Sequence, residues 1–139
     1  MIQIIAGEKG KGKTKHLIDR VNKTVSSSTG NIVFLDKSTK HMYEINNKIR
    51  LIDVSDYPYN TNEGFIGFLY GLISQDHDIE DMFIDSFLKV ANVTDDNISN
   101  TIEQISNISK QYNINFTLSV SQNEDKLPDD VKNYVVVSL

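Results

Sequence analysis

The 139-residue chain contains no cysteine. This absence excludes disulfide bonds and thiolate metal sites, and the chain therefore gives no sign of an oxidising compartment. No apolar run approaches the roughly 20 residues that a membrane-spanning helix needs, so we expect no membrane insertion. The first strand is predicted to begin at residue 2, which leaves no room for a signal peptide. We therefore expect a cytoplasmic protein.

The chain is also short of positive charge. Its 14 lysines and arginines against 19 acidic residues give a net charge of −5 and a pI near 5.1. A general nucleic-acid binder needs a basic face that releases counterions, so we expect no such binding. The cations are nevertheless concentrated at one place, where Lys9, Lys11, Lys13 and Lys15 stand within seven residues. Such a cluster would attract a polyanionic ligand.

These lysines belong to a sequence motif that begins at residue 7. It fits the pattern G-x-x-x-x-G-K-[ST] of a phosphate-binding loop and reads Gly7-Glu8-Lys9-Gly10-Lys11-Gly12-Lys13-Thr14. Glycines allow the backbone to turn with positive φ and to approach a ligand closely. Successive backbone amides then point inward and bind phosphate oxygens. The Lys13 ammonium would contact the β- and γ-phosphates, and the Thr14 hydroxyl would ligate Mg²⁺.

The residues on either side of the motif fit this interpretation. The apolar segment 2–6 is predicted to be a buried strand, and apolar residues at positions 17, 18 and 21 predict a helix over 13–21. A phosphate-binding loop requires this strand–loop–helix setting. We therefore interpret residues 1–139 as one domain that binds a nucleoside triphosphate.

The rest of the chain alternates apolar β-branched runs with longer segments of helical periodicity. This alternation is typical of βαβ units around a mainly parallel sheet. The predicted strands after the first are 31–36, 49–54, 82–85, 115–122 and 134–138. The predicted helices are 62–75 with Asn62 as its cap, 95–111 with Thr94 or Asp95 as its cap, and a turn at 129–133. The sequence thus predicts an α/β fold with about six strands.

A phosphate-binding loop also needs a carboxylate on a nearby strand to hold Mg²⁺. Asp85 ends a short apolar strand, as such a carboxylate does. Asp36 and Asp53 end apolar runs in the same way, so this pattern alone does not choose among the three.

Three further segments resemble the ATP-binding core of RecA- and KaiC-type P-loop ATPases. Val33–Ser38 resembles the second-strand motif, Met82–Ser86 resembles the Walker B strand, and Ser119–Gln122 resembles a strand that ends in a polar residue contacting the γ-phosphate. The resemblance, which extends to small stand-alone bacterial ATP-binding proteins, implies a three-layer α/β/α fold with sheet order 3-2-4-5-1-6. It also implies ATP as the nucleotide, Thr14 and Asp85 as magnesium ligands, and Gln122 as a nucleotide contact.

The chain departs from that family where water is activated. The family's glutamate after the second strand is replaced by Ser38, and no glutamate follows Asp85. A general base must lie within hydrogen-bond reach of the attacking water, so we expect slow intrinsic hydrolysis, sustained by Lys13 and Mg²⁺. The segment 123–128 is short and acidic, in place of the family's basic DNA-contacting loop.

Two other functions stay open. A small nucleotide or metabolite kinase uses the same loop but needs several arginines on its phosphates, and this chain has only Arg20 and Arg50. A binding module that reports nucleotide state to a protein partner, or through self-association, would not need the missing glutamate. The three histidines are scattered, and no two of them have the helical spacing of metal ligands, which argues against a histidine metal site.

Overall fold

Six strands form one sheet, and the computed structural model describes all 139 residues. The strands are β1 (Ile2–Ala6), β2 (Asn31–Asp36), β3 (Arg50–Asp53), β4 (Ile79–Ile84), β5 (Asn115–Val120) and β6 (Val135–Ser138). They lie in the order β3-β2-β4-β5-β1-β6, and every neighbouring pair is parallel. The predicted strand order is therefore confirmed, and the sheet is parallel throughout.

Helices connect the strands, because consecutive parallel strands need a crossover. They are α1 (Lys13–Thr24), α2 (Asn62–Gln75), α3 (Phe87–Val90), α4 (Ile98–Tyr112) and α5 (Asp129–Lys132). Single 3₁₀ turns occur at Met42–Glu44, Val54–Asp56 and Glu124–Lys126. None of the helices combines the length and the apolar character needed to cross a membrane.

Helices cover both faces of the sheet. Because successive residues of a strand point to opposite sides of the sheet, one strand contributes to two cores. On β2, Val33 and Leu35 belong to a core of 27 buried residues that includes the apolar stripes of α2 and α4. Phe34 belongs to a second core of 9 buried residues on the other face, where α1 packs. The predicted three-layer α/β/α arrangement is confirmed.

Several predicted boundaries were wrong, each for a local reason. The cap of α2 is Thr61, whose hydroxyl accepts the Gly64 amide at 2.9 Å, and Asn62 is the first helical residue. The α4 helix begins at Ile98 and not at residue 95, because residues 94–97 form a turn in which the Asn97 side chain accepts the Thr94 amide. The α3 helix was not predicted, since four residues show no helical periodicity.

A carboxylate fixes the turn that leads into β2. The Glu80 Oε2 atom accepts the amides of Gly30 at 2.7 Å and Thr29 at 3.1 Å, and it also accepts the Thr29 hydroxyl. These hydrogen bonds lower the pKa of Glu80, and the one from the Gly30 amide has the largest effect. They set the start of the strand that ends at Asp36.

Replacing Glu80 with glutamine should therefore lower the melting temperature at neutral pH. A carboxyl whose folded-state pKa is lowered stabilises the fold above its ordinary pKa of 4.5, and this contribution is lost as pH falls through the lowered value. The difference between the two melting temperatures should shrink as the pH falls below 4.5. The matched control is Glu103→Gln, at an exposed position on α4. A difference that does not shrink as the pH falls below 4.5 would contradict this role of Glu80.

Candidate functional site

The Gly7–Thr14 loop joins the end of β1 to the start of α1. Gly10 and Gly12 adopt φ values of 87° and 88°, in the region that glycine occupies without strain. Gly7 is buried, and its amide donates to the Val120 carbonyl at the end of β5. A Cβ atom at Gly7 would lie 3.1 Å from the Leu139 side chain. The loop thus uses its glycines both for turning and for close packing.

Lys13 lies at the start of α1, where the first backbone amides have no acceptor within the helix. Its side chain is buried, and its ammonium donates to the Glu8 carbonyl at 2.9 Å. Burial lowers the pKa of Lys13, and the Asp85 carboxylate opposes this shift. The side chain is therefore folded back over the loop, with its charge close to an acidic residue of another strand.

Thr14 and Asp85 meet across the end of β5. The Thr14 hydroxyl lies 3.1 Å and 3.2 Å from the two carboxylate oxygens of Asp85. Ser119, on β5 between them, donates to Asp85 Oδ1 at 2.6 Å and accepts the Ser86 amide at 2.8 Å. Ser86 itself has a φ of 51°, an uncommon conformation for a non-glycine residue. The two predicted magnesium ligands are thus held together in a hydrogen-bonded network.

This network lies in a cavity of about 590 Å³ at the carboxyl edge of the sheet. The lining combines the loop, the ends of β2, β4 and β5, and the start of α3. Its residues are Lys9, Gly10, Gly12, Lys13, Thr14, Asp36, Lys37, Ser38, Lys40, His41, Asp85, Ser86, Leu88, Lys89, Ser119 and Ser121. Five of these residues are lysines and none is an arginine or a glutamate. Against the two aspartates in the lining, the five lysines leave the cavity with a net positive charge in an acidic protein.

Gln122 does not line this cavity. The β5 strand ends at Val120, two residues earlier than predicted, and the Gln122 amide turns back to the Val120 carbonyl at 2.8 Å. Ser121 takes the place in the lining. The next residue, Asn123, donates to the Glu8 side chain at 2.8 Å. The segment after β5 therefore contacts the loop through Asn123 and not through Gln122. A γ-phosphate contact by Gln122 stays a prediction.

Asp36 enters the site from the end of β2. It is 2% exposed, its Oδ1 accepts the Lys37 amide at 2.7 Å, and its Oδ2 has no hydrogen-bond partner. Burial and then the neighbouring Asp85 raise the pKa of Asp36. The sequence predicted that Asp36 and Asp85 each end an apolar strand. Because β2 and β4 are parallel neighbours in the sheet, the two carboxylates lie close together.

His41 also lines the cavity, although no motif or spacing in the sequence predicts it as a site residue. One of its ring nitrogens, one Asp36 oxygen and one Asp85 oxygen all lie within 4.8 Å of one another. Its Nδ1 lies 2.7 Å from Glu44 Oε2. The spacing of the histidines in the sequence excludes only a histidine pair on one helix, whereas these three residues come from separate segments of the chain.

A second cavity, of about 660 Å³, lies at the opposite edge of the sheet. Residues near the starts of strands line it, among them Gln3, Asp81 and Asn115, together with Arg20 and Lys23 of α1. It contains none of the motif residues. In parallel α/β sheets, ligands bind at the carboxyl ends of the strands, so the cavity around Thr14 and Asp85 is the better candidate.

No protein-family model matches the sequence, and the comparison with curated proteins finds no match. Among solved structures, the chain is similar to the flagellar accessory protein FlaH from Methanocaldococcus jannaschii, with a TM-score of 0.62 and 12% sequence identity. The similarity covers 95% of this chain and 65% of that protein, so the chain spans less than two thirds of its length. At this identity the likeness concerns the fold alone, and the sheet is consistent with a RecA-like fold.

Proposed function

We propose that the protein binds a nucleoside triphosphate with Mg²⁺ in the cavity at the carboxyl edge of the sheet. The observation that carries this proposal is the contact of Thr14 with Asp85 at 3.1 Å, directly beside the buried Lys13. A hydroxyl from the loop and a carboxylate from a strand end are the ligands that Mg²⁺ takes in P-loop proteins. ATP is proposed over GTP only because of the sequence resemblance.

The donors around the cavity fit a polyphosphate. Backbone amides at the start of α1 and the turn at Gly10 and Gly12 offer hydrogen bonds to phosphate oxygens. The lysines that line the cavity supply positive charge. We propose the whole loop as the phosphate site, comprising Gly7, Glu8, Lys9, Gly10, Lys11, Gly12, Lys13 and Thr14. When bound, Mg²⁺ would neutralise phosphate charge, with Thr14 and Asp85 holding it.

Calorimetric titration tests this proposal. The protein should bind ATP at one site per chain, more tightly with Mg²⁺ than with EDTA, and it should bind adenosine far more weakly. GTP in place of ATP measures the contribution of the base. If neither triphosphate binds at millimolar concentration with Mg²⁺ present, the proposal is wrong.

We further propose that hydrolysis is slow without a partner. The only carboxylates that line the cavity are Asp36 and Asp85, and neither expected glutamate position is filled. Lys13 can still stabilise charge that develops on the phosphates. The protein would then act as a partner-stimulated ATPase or as a switch that reports nucleotide state, through a protein partner or self-association.

Purified protein should hydrolyse ATP well below the median enzyme rate of about 10 s⁻¹. The measurement is steady-state phosphate release with Mg²⁺, and Lys13→Ala serves as the control for contaminating ATPases. Rapid turnover by the protein alone, absent from the Lys13 variant, would show that the cavity contains an efficient water-activating group and would contradict the switch proposal.

A kinase is the weaker candidate on the same geometry. Kinases use several arginines to hold two phosphate chains. Arg20 lines the opposite cavity and Arg50 lies on the edge strand β3, so neither reaches the proposed phosphate site. A panel of phosphate acceptors in the hydrolysis assay distinguishes transfer from hydrolysis.

A further inference from the structure

Three potential metal ligands meet beside the contact between Thr14 and Asp85. Asp36 is the last residue of β2, Asp85 follows β4, and His41 precedes the 3₁₀ turn Met42–Glu44. One ligand atom of each lies within 4.8 Å of the other two. Oxygen and nitrogen ligands stand about 2.0–2.3 Å from a divalent transition-metal ion, so small side-chain movements would let one ion contact all three.

The buried carboxylate of Asp36 points to such an ion. Its Oδ2 atom is the one buried side-chain nitrogen or oxygen atom of the protein without a hydrogen-bond partner, and Asp36, which is 2% exposed, lines the cavity. A buried charge without a partner costs free energy. A cation at this position would supply the missing partner.

No lysine supplies it. Five lysines line the cavity, yet none places its ammonium within 4.0 Å of Asp36 or Asp85, since the ion pairs of the protein are His41 with Glu44 and Lys132 with Asp129. The carboxylates of Asp36 and Asp85 therefore lie close together beside His41, and neither forms a close ion pair with a lysine. This arrangement suits a metal ion better than a phosphate group.

Glu44 prepares His41 to act as a ligand. The His41 Nδ1 lies 2.7 Å from Glu44 Oε2, so the tautomer that donates this hydrogen bond carries its free lone pair on Nε2. Metal-binding histidines commonly donate their other ring N–H to a carboxylate in this way, and the contact orients the ring and raises its basicity.

We propose that Asp36, His41 and Asp85 bind a divalent transition-metal ion such as Mn²⁺ or Zn²⁺, with Glu44 orienting His41. An imidazole nitrogen favours such ions over Mg²⁺, which takes oxygen ligands. This site differs from the proposed magnesium position at Thr14, although both use Asp85. Metal binding at this site needs no nucleotide, so it can be tested separately from nucleotide binding.

Mn²⁺ binding to the nucleotide-free protein tests the proposal by electron paramagnetic resonance. We expect one Mn²⁺ per chain, at least about tenfold tighter than Mg²⁺ in competition, with a pulsed-EPR coupling to one histidine nitrogen. His41→Ala should abolish that coupling and weaken Mn²⁺ binding by more than the roughly 10-fold loss that follows removal of a partner that only orients a ligand. Glu44→Gln should keep the coupling and bind Mn²⁺ less tightly than wild type.

His16→Ala is the matched control, because His16 is exposed on α1 and does not line the cavity. It should change neither affinity nor coupling. Asp36→Asn should lose Mn²⁺ binding without lowering the melting temperature of the metal-free protein, because it removes an unpaired buried charge. Unchanged Mn²⁺ affinity in His41→Ala, or no nitrogen coupling in the wild type, would overturn the proposal.

Discussion

Replacing Lys13 with alanine should weaken the binding of ATP with Mg²⁺ by about 10- to 100-fold, because hydrogen bonds to charged groups contribute roughly 1.5–3 kcal/mol. The ammonium lies beside the loop and makes one hydrogen bond within the protein, to the Glu8 carbonyl. Burial already lowers its pKa, so removing this charge should leave the fold intact. Calorimetry measures the affinity, and thermal unfolding checks the fold.

Lys11→Ala is the matched control for this substitution. It removes the same charge from the same loop, but Lys11 is exposed and does not line the cavity. In Lys11→Ala only the long-range electrostatic attraction between the loop and the nucleotide changes, and salt screens this attraction. The control should therefore weaken binding much less than Lys13→Ala does. If the two variants bind ATP with equal affinity, Lys13 has no specific role.

The second large effect concerns Asp85. Replacing it with asparagine should remove most of the increase in ATP affinity that Mg²⁺ provides, and should weaken binding at saturating Mg²⁺ by about 10- to 100-fold. The asparagine oxygen can still accept the Ser119 hydroxyl that bonds to Asp85 at 2.6 Å, so the fold should persist. The measurement is the ratio of ATP dissociation constants with EDTA and with Mg²⁺.

Asp53→Asn is the control here, because Asp53 also ends a parallel strand. Its carboxylate accepts the Ser55 amide and hydroxyl, and it lies outside the cavity. This variant should keep the wild-type response to Mg²⁺. An Asp85 variant with an undiminished magnesium effect would mean that Mg²⁺ is held by other residues.

The strands of the sheet were predictable because the central ones are buried on both faces and therefore form continuous apolar runs. The segment 31–36 is an apolar run that ends in a charged residue, and β2 covers the same residues. Strand order came from the resemblance to RecA- and KaiC-type ATPases, since periodicity alone carries no information on which strands are neighbours.

The site was predictable only where a local motif defines it. The loop from Gly7 to Thr14 has fixed spacing, and its glycines adopt the expected positive φ values at positions 10 and 12. The position of His41 depends on the irregular path between β2 and the 3₁₀ turn at Met42–Glu44, for which no periodic signal exists. Lys89 enters the cavity from α3, which is too short to be recognised from sequence.

A crystal structure of the protein with Mg²⁺ and a non-hydrolysable ATP analogue would show directly where the nucleotide binds. We predict that the phosphates lie along the Gly7–Thr14 loop, with the metal between Thr14 and Asp85. The second cavity, lined by Arg20 and Lys23, offers the alternative position at the other edge of the sheet. A nucleotide bound there, with the loop free of phosphate, would show that the Gly7–Thr14 loop is not the phosphate site.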